Sequence, residues 1–161
     1  MNSTREAIVS HHALGDVVVA GDDLHRVLRR AHALAGGADV ICDRFTDSTL
    51  AYQGYGDGLP LGIIRQVNAI ATGGLVPDLT VLLDLDVALG LRRKQGQEWN
   101  AFDDRDLAFH GAVRAGFLTL AAEDPGRWLV VDAAQPLPAV RAAASVFRPN
   151  LSEREPISRA A

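Results

Sequence analysis

The chain has 161 residues, 48% of them hydrophobic, which fits one domain with a real core. Its formal net charge of −4 at pH 7 gives no general reason to expect binding to a nucleic acid or to an acidic membrane surface. Its one cysteine, Cys42, excludes a disulfide framework and a thiolate metal cluster. The apolar runs are shorter than a membrane span and no signal pattern begins the chain, so we expect a soluble cytoplasmic protein.

Short apolar strands alternate with helical stretches along the chain. In order, we expect a strand at Val17–Ala20, a helix at Asp23–Leu34, a strand at Val40–Cys42, helices at Ser48–Tyr52 and Leu61–Thr72, a strand at Leu79–Leu85, helices at Val87–Lys94 and Asp104–Glu123, a strand at Trp128–Val131 and a helix at Pro138–Phe147. Gly73 and Gly74 are expected to end the helix at Leu61–Thr72. The alternation predicts an α/β domain with a parallel sheet over residues 1–147, followed by a flexible tail at 148–161.

Asp43 and Arg44 come directly after the strand at Val40–Cys42. In an open parallel sheet, ligands bind beyond the carboxyl ends of the strands. Arg44 can donate two hydrogen bonds to a phosphate or a carboxylate, and Asp43 can hold a magnesium ion through water or orient Arg44. A structural ion pair at the strand end explains the dipeptide at least equally well.

A polar helix follows, with Ser48, Thr49, Tyr52 and Gln53 at helical spacing. Ser48 is expected to share a face with Tyr52, and Thr49 with Gln53. Such a face offers a stacking ring with hydroxyl and amide partners to a flat heterocycle. Taken singly, each residue is better explained by a capped structural helix with a half-buried Tyr52.

The string DRFTDSTLAYQG, residues 43–54, resembles the signature of bacterial thymidylate kinases, which transfer a phosphoryl group from ATP to dTMP. The resemblance continues in order and spacing through NAIATGGLVPDLTVLLDLD and DLAFHGAVRAGFLTLAAEDPGRWLVVDAAQP, and it covers about residues 26–143. It implies a three-layer α/β fold of the P-loop nucleoside monophosphate kinase type, with helices on both faces of a parallel sheet.

The resemblance also implies roles for the residues just named. Arg44 would bind the dTMP phosphate, Thr49, Tyr52 and Gln53 would line the thymidine pocket with Ser48, and Asp43 would lie near Mg²⁺ and the phosphates. Arg44 and Asp43 are thereby also candidate catalytic residues.

Two later segments fit the ATP side of such a kinase. Residues 92–103 would form the lid, where Arg92, Arg93 and Lys94 supply positive charge to the phosphoryl group in transfer. The string DAAQP, residues 132–136, resembles the loop beside adenine, with Gln135 as an ATP-binding residue. Each has a plain alternative, because basic residues favour the C-terminus of any helix and Pro136 suits an ordinary strand-to-helix turn.

The family pattern is incomplete in this sequence. It contains no Gly-rich Walker loop ending in Gly-Lys-Ser/Thr, and its nearest imitation, GDVVVAGDDLHRV, has Asp22 and Asp23 where phosphate would bind. The chain has Ala101 where the lid pattern has an arginine. We therefore expect an N-terminally incomplete domain that is atypical over residues 1–25. In the family, the strand before the Walker loop lies between the strand that precedes Asp43 and the strand at Leu79–Leu85. Without it the sheet is expected to be split, unless Val17–Ala20 takes its place.

Two hypotheses on function follow. In the first, the chain is a dTMP kinase that uses ATP and Mg²⁺. In the second, it is a catalytically silent fragment or pseudoenzyme that binds nucleoside monophosphate or pairs with a full-length kinase. No nucleic acid or membrane partner is expected, and the resemblance implies a homodimer joined through helices. The helix faces available for it are two apolar sets, Ile63, Val67 and Ile70, and Phe109, Val113 and Phe117.

Overall fold

The computed structural model describes residues 17–20, 34, 39–94 and 105–145. Its strands are β1 (Val17–Ala20), β2 (Asp39–Cys42), β3 (Thr80–Asp84) and β4 (Trp128–Asp132). Its helices are α1 (Thr46–Thr49), a π-helix (Leu50–Gly56), α2 (Leu61–Thr72), α3 (Val87–Lys94), α4 (Leu107–Glu123) and α5 (Leu137–Ser145). Apart from Leu34, the predicted helix at Asp23–Leu34 lies outside the described residues, as do most of the expected lid and the tail. None of the helices in these ranges is both long and apolar enough to cross a membrane.

The four strands form two parallel pairs. β1 pairs with β2, with Val17 opposite Asp39, and β3 pairs with β4, with Thr80 opposite Trp128. The predicted α/β architecture with parallel strands is therefore confirmed. Among the described residues no strand joins β2 to β3, so the sheet is split, and β1 does not close the gap.

The strands are less covered than their apolar sequences predict. Trp128 and Val131 of β4 are buried, but Val130 is 46% exposed, Leu83 of β3 is 55% exposed and Ile41 of β2 is 59% exposed. A parallel strand reads as continuously apolar when it is covered on both faces. Here each strand has one bonded neighbour among the described residues, so one edge of each strand is open in this part of the chain. The exposed side chains show that the faces are also incompletely covered.

The segment after α1 is a π-helix and not the predicted α-helix. An α-helix was expected over Ser48–Tyr52, whereas the structure has α1 from Thr46 and then the π-helix. The Asp57 N–H donates to the Tyr52 carbonyl at 2.9 Å, which is the i to i+5 bond of a π-helix. Local sequence periodicity assumes a 3.6-residue turn, and π-turns occur mostly where tertiary contacts require them. The prediction of a helix here was right, and its type was wrong.

The core lies between the π-helix, α2, α4 and β4. One cluster joins Leu50, Ile64, Leu120, Ala121 and Trp128, and a second joins Ala51, Phe109 and Val113, with half-buried Tyr52 and Phe117 against it. The prediction that Phe109, Val113 and Phe117 form a helix face available for a homodimer is therefore wrong, because they pack on the π-helix segment. In contrast, Ile63, Val67 and Ile70 of α2 are 59%, 56% and 83% exposed.

The helix ends follow ordinary capping chemistry. α4 begins at Leu107 rather than at Asp104, because the Asp106 carboxylate accepts a hydrogen bond from the Phe109 N–H at 2.7 Å. α2 ends at Gly73 as predicted, and Gly73 adopts the left-handed conformation with φ of 64°.

Gly116 lets the π-helix approach α4 closely, which generates a stability prediction. A Cβ added at Gly116 would lie 2.5–2.6 Å from Tyr55 ring and Cβ atoms, whereas one at Gly111 would have no atom within 4 Å. We expect Gly116→Ala to lower the free energy of unfolding by about 1–3 kcal/mol through overpacking. Gly111→Ala, in the same helix, should raise it by up to about 1 kcal/mol because alanine favours the helix. Urea unfolding measures both, and a Gly116→Ala variant as stable as the wild type would contradict this packing.

Candidate functional site

Arg44 begins the site at the carboxyl end of β2. It is the one non-glycine residue with positive φ in the described part of the chain, at 61°. A left-handed backbone costs a non-glycine residue about 1–2 kcal/mol, so surrounding contacts must maintain it. One such contact is the Cys42 thiol, which donates to the Arg44 carbonyl at 2.7 Å. Such strain is found most often at ligand sites, and here it accompanies an exposed guanidinium beyond a strand end.

The guanidinium of Arg44 contacts Tyr52. Arg44 Nη2 donates to Tyr52 Oη at 3.3 Å, and Arg44 Cζ lies 5.0 Å from the centroid of the Tyr52 ring. The Tyr52 ring packs edge-on against Phe109 and Phe117, with centroid distances of 6.1 and 6.3 Å. The structure thus brings together two of the predicted site residues.

The other predicted substrate residues lie on the same segment. Ser48, Thr49 and Gln53 are all half-buried, and the Gln53 carbonyl accepts from the Leu59 N–H at 3.0 Å. The predicted faces, Ser48 with Tyr52 and Thr49 with Gln53, assumed one regular α-helix. The change from α1 to the π-helix falls between their members, so the four-residue spacing no longer defines a common face.

Asp47 is a buried carboxylate near the site, and no local pattern in the sequence predicted a role for it. It is 7% exposed and accepts hydrogen bonds from Arg127 Nη1 at 2.8 Å, from Arg127 Nη2 at 3.0 Å and from Thr80 Oγ1 at 2.8 Å. Arg127 Nη1 also donates to Thr80 Oγ1 at 2.8 Å, which closes the triangle. Burial alone would lower the pKa of Arg127, but the hydrogen bonds and charges of Asp47 and Asp124 raise it. The network ties α1 to the first residue of β3 and to the turn before β4.

A second ion pair stands at the carboxyl end of β3. Arg114 Nε and Nη2 donate to the two carboxylate oxygens of Asp84 at 2.7 and 2.9 Å. The hydrogen bond from Arg114 is the largest cause that lowers the pKa of Asp84. Neither residue was predicted as functional, and their separation of 30 positions left no local signal.

Arg93 and Gln135 meet around the loop that follows β4. Arg93 Nη1 donates to the Ala133 carbonyl at 2.7 Å and Nη2 to the Ala134 carbonyl at 3.4 Å. Gln135 Nε2 donates to Asp132 Oδ2 at 2.9 Å, and this bond together with the Ala134 N–H lowers the pKa of Asp132. The structure thus brings together two of the residues predicted for the ATP side, with both side chains engaged by this loop.

For the remaining predicted residues the structure gives exposure or nothing beyond the backbone. Asp43 is exposed after the end of β2, and Arg92 is exposed in the last turn of α3. The side chain of Lys94 and the lid residues 95–103, including Ala101, lie outside the described part of the structure. Arg44 and Asp43 thus follow one strand pair, whereas Arg93 and Gln135 accompany the other.

One family of known proteins matches this chain over most of its length. The family profile described as thymidylate kinase matches residues 9–144. The chain belongs to the thymidylate kinase family. Membership confirms the predicted fold class, since the family is one of P-loop nucleoside monophosphate kinases with α/β architecture.

Curated relatives named thymidylate kinase are similar over the same region. The Deinococcus radiodurans protein is 56% identical over 106 residues, which cover 65% of this chain and 51% of the relative. The Solidesulfovibrio magneticus protein is 52% identical over 110 residues, covering 63% and 53%. The Gloeobacter violaceus protein is 51% identical over 133 residues, covering 78% and 62%. The chain spans about half the length of the first relatives it matches.

This member of the thymidylate kinase family is almost free of lysine over the 161 residues. Lys94 is the only lysine in the 161 residues, so the sequence contains no Gly-Lys-Ser/Thr motif. The backbone amides and lysine of such a loop hold the phosphates of ATP. Within these residues, the positive charge available to phosphates comes mainly from arginines.

The Asp84–Arg114 pair generates a pH prediction. Because the folded-state pKa of Asp84 is lowered, the pair stabilises the protein above the ordinary carboxyl range, and this contribution is lost as the pH falls through the lowered pKa. Both side chains are partly exposed, so we expect Arg114→Met to lower the free energy of unfolding by only about 1 kcal/mol at pH 7. The difference from the wild type should shrink under acid conditions.

Urea unfolding over a pH series measures this difference. Arg65→Met is the matched control, since Arg65 and its partner Glu123 are each about half exposed, and little change is expected at any pH. An Arg114→Met deficit that is equally large at neutral and acid pH would show that the ion pair is not its source.

Proposed function

We propose that this chain binds dTMP as the acceptor in phosphoryl transfer from ATP, and that Arg44 is the ligand of the dTMP phosphate. The observation that carries the proposal is the geometry of Arg44 at the carboxyl end of a parallel strand in a thymidylate kinase family fold. Its guanidinium is exposed and is held at one side by Tyr52. The remaining donors of its planar fork suit the oxygens of a phosphate.

The nucleoside half of dTMP would lie along α1 and the π-helix. Ser48, Thr49 and Gln53 are half-buried there and supply hydroxyl and amide groups for the polar edge of a pyrimidine. The Tyr52 ring is fixed between α4 and Arg44, where it would crowd a ribose 2′-hydroxyl. The π-helix itself supports the proposal, because π-turns occur frequently at functional sites.

The ATP half would lie near the carboxyl ends of β3 and β4. Arg92, Arg93 and Lys94 stand at the end of α3, and Arg93 fixes the loop of Gln135 by its two carbonyl contacts. In such a site catalysis consists of positioning and charge neutralisation, so arginine charge near the transferred group lowers the barrier. Gln135 is proposed to lie beside the adenine.

Magnesium would be held mainly by the nucleotide. Among the described residues no three histidine, cysteine or acidic side chains come together to hold a metal ion. Mg²⁺ keeps several waters and commonly takes one or two carboxylates with substrate phosphates, and the exposed Asp43 fits that role through water. When bound, Mg²⁺ neutralises charge on the phosphates.

A second candidate function is favoured by the split sheet. The chain would then be catalytically silent, and it would bind nucleoside monophosphate or pair with a full-length kinase. The absence of a Gly-Lys-Ser/Thr motif from these residues and the alanine at position 101 support it. So do the edges of β2 and β3 that have no bonded neighbour in the described part of the chain. An open strand edge is a surface on which another chain can pair.

Self-association is proposed through α2. Ile63, Val67 and Ile70 recur at helical spacing on one side of α2 and are more than half exposed, and Leu59 just before the helix is 52% exposed. Monomeric soluble proteins rarely expose a contiguous apolar patch of large area, and such a patch commonly marks an interaction surface. It supports a homodimer through α2, as expected for the family.

Binding of dTMP tests the assignment of Arg44. We expect Arg44→Ala to weaken dTMP binding by roughly tenfold to a hundredfold in isothermal titration, because hydrogen bonds to a charged group are lost. Arg141→Ala, which removes an exposed arginine from α5, is the matched control and should bind as the wild type does. Equal affinities for wild type and Arg44→Ala would refute the assignment. A coupled assay with ATP, Mg²⁺ and dTMP then separates a kinase from a silent binding protein.

Base choice tests the nucleoside pocket separately. We expect the order dTMP, then dUMP, with dGMP and UMP weakest. The loss of one methyl group should cost about 1–3 kcal/mol in an apolar pocket, so dUMP should bind measurably. Titration of the four nucleotides measures the order, and dGMP binding as tightly as dTMP would rule out the pocket of Thr49, Tyr52 and Gln53.

A further inference from the structure

The hydroxyl of Tyr52 points away from the aromatic cluster to Arg44. Its oxygen accepts from Arg44 Nη2 at 3.3 Å, and the guanidinium carbon lies 5.0 Å from the ring centroid. We propose that Tyr52 is a positioning residue, whose hydroxyl and ring orient the Arg44 guanidinium toward the phosphate of the bound nucleotide. This inference rests on the proposed function, in which Arg44 binds that phosphate.

Arg44 benefits from such a constraint when it binds an anion. Its side chain is exposed and has many rotamers, and freezing them on binding reduces affinity. Its backbone is held in the left-handed conformation, with φ of 61°. This conformation sets the direction in which the side chain leaves the main chain. The Tyr52 contact then restricts the far end of the side chain. Together they prepare the guanidinium for an anion before any ligand arrives.

Tyr52 is itself held rigidly enough to act in this way. Its ring meets Phe109 at an interplanar angle of 64° and Phe117 at 79°, both in edge-on contact. The preceding residue, Ala51, is completely buried, which fixes the backbone of the π-helix against α4. Rings in edge-to-face pairs have a preferred geometry, so the ring plane of Tyr52 is set by α4. The Tyr52 ring thus positions the Arg44 guanidinium relative to α4.

The competing explanation is that the Tyr52 hydroxyl contacts the nucleoside directly. The two explanations differ in which part of the ligand matters. A hydroxyl that acts through Arg44 affects only ligands that carry a phosphate, and only when Arg44 is present. A hydroxyl that contacts the sugar or base affects thymidine as well, with or without Arg44.

Tyr52→Phe separates these explanations because it removes the hydroxyl and keeps the ring in its aromatic contacts. We expect dTMP to bind roughly fivefold more weakly to Tyr52→Phe, the size expected for one exposed charge-assisted contact, while thymidine binding is unchanged. In an Arg44→Ala background the same change should have no further effect on dTMP binding. Tyr55→Phe, in the same π-helix, is the matched control and should leave both affinities unaltered.

An unchanged dTMP affinity in Tyr52→Phe would refute the proposal, and two further results of these titrations would overturn it. One is an equal loss of thymidine and dTMP affinity in Tyr52→Phe. The other is a loss that persists in the Arg44→Ala background. Either would assign the hydroxyl to the nucleoside rather than to Arg44.

A measurement without ligand keeps this inference separate from the proposed function. In a ¹⁵N–¹H spectrum of the arginine side chains, the Arg44 signal, identified by its disappearance in Arg44→Lys, should show a ring-current shift that Tyr52→Leu abolishes. An Arg44 signal at the position of an unconstrained arginine would refute the positioning role, whether or not a nucleotide binds. Failure of the wild type to bind dTMP, with the shifted signal present, would refute the proposed function while the orientation of Arg44 stands.

Discussion

The arrangement of the site depends on one buried carboxylate. Asp47 accepts three hydrogen bonds from Arg127 and Thr80. It lies in α1, just after Arg44, whereas Thr80 begins β3 and Arg127 precedes β4. Because no strand joins β2 to β3 among the described residues, this contact replaces part of the connection that a continuous sheet would give. Leaving one member of a buried ion pair without its partner costs about 3–5 kcal/mol, which is a large share of a domain's stability.

The C-terminal end of the π-helix is also stabilised by an ion pair. Asp57, its first following residue, pairs with Arg105 at 3.0 Å, and the Arg105 guanidinium lies 4.0 Å from the centroid of the Phe109 ring. Between the two ends, Ala51 and Tyr52 pack on Phe109 and Phe117 of α4. A π-turn is less favourable than an α-turn on its own, so it persists where packing on both sides determines it. The segment that carries the proposed substrate residues is thus defined by tertiary contacts rather than by its own helical preference.

Much of the fold could be predicted because its signals are local. The strands read as short apolar runs, α2 ends at Gly73 where a left-handed residue is required, and Arg44 follows a strand end where ligands bind in parallel sheets. The pairing of Asp47 with Arg127 spans 80 positions, and that of Asp84 with Arg114 spans 30, so no local pattern announces either. The π-helix was missed for a related reason, because the spacing of Ser48, Thr49, Tyr52 and Gln53 fits an α-helix equally well. The burial of Phe109 and Val113 depends on that same unexpected segment.

The dependence on Asp47 can be measured directly by a double-mutant cycle with Asp47→Asn and Arg127→Met, each compared with the wild type in urea unfolding. Asp47→Asn preserves the volume and removes the charge, and Arg127→Met removes the guanidinium and keeps an unbranched chain. The cycle subtracts the separate effect of each change and leaves the interaction between the two side chains. If the pair joins α1 to the second strand pair, the coupling energy should be about 1–3 kcal/mol. Each single variant should then be nearly as destabilised as the double variant. Additive effects, with a coupling energy close to zero, would contradict the account.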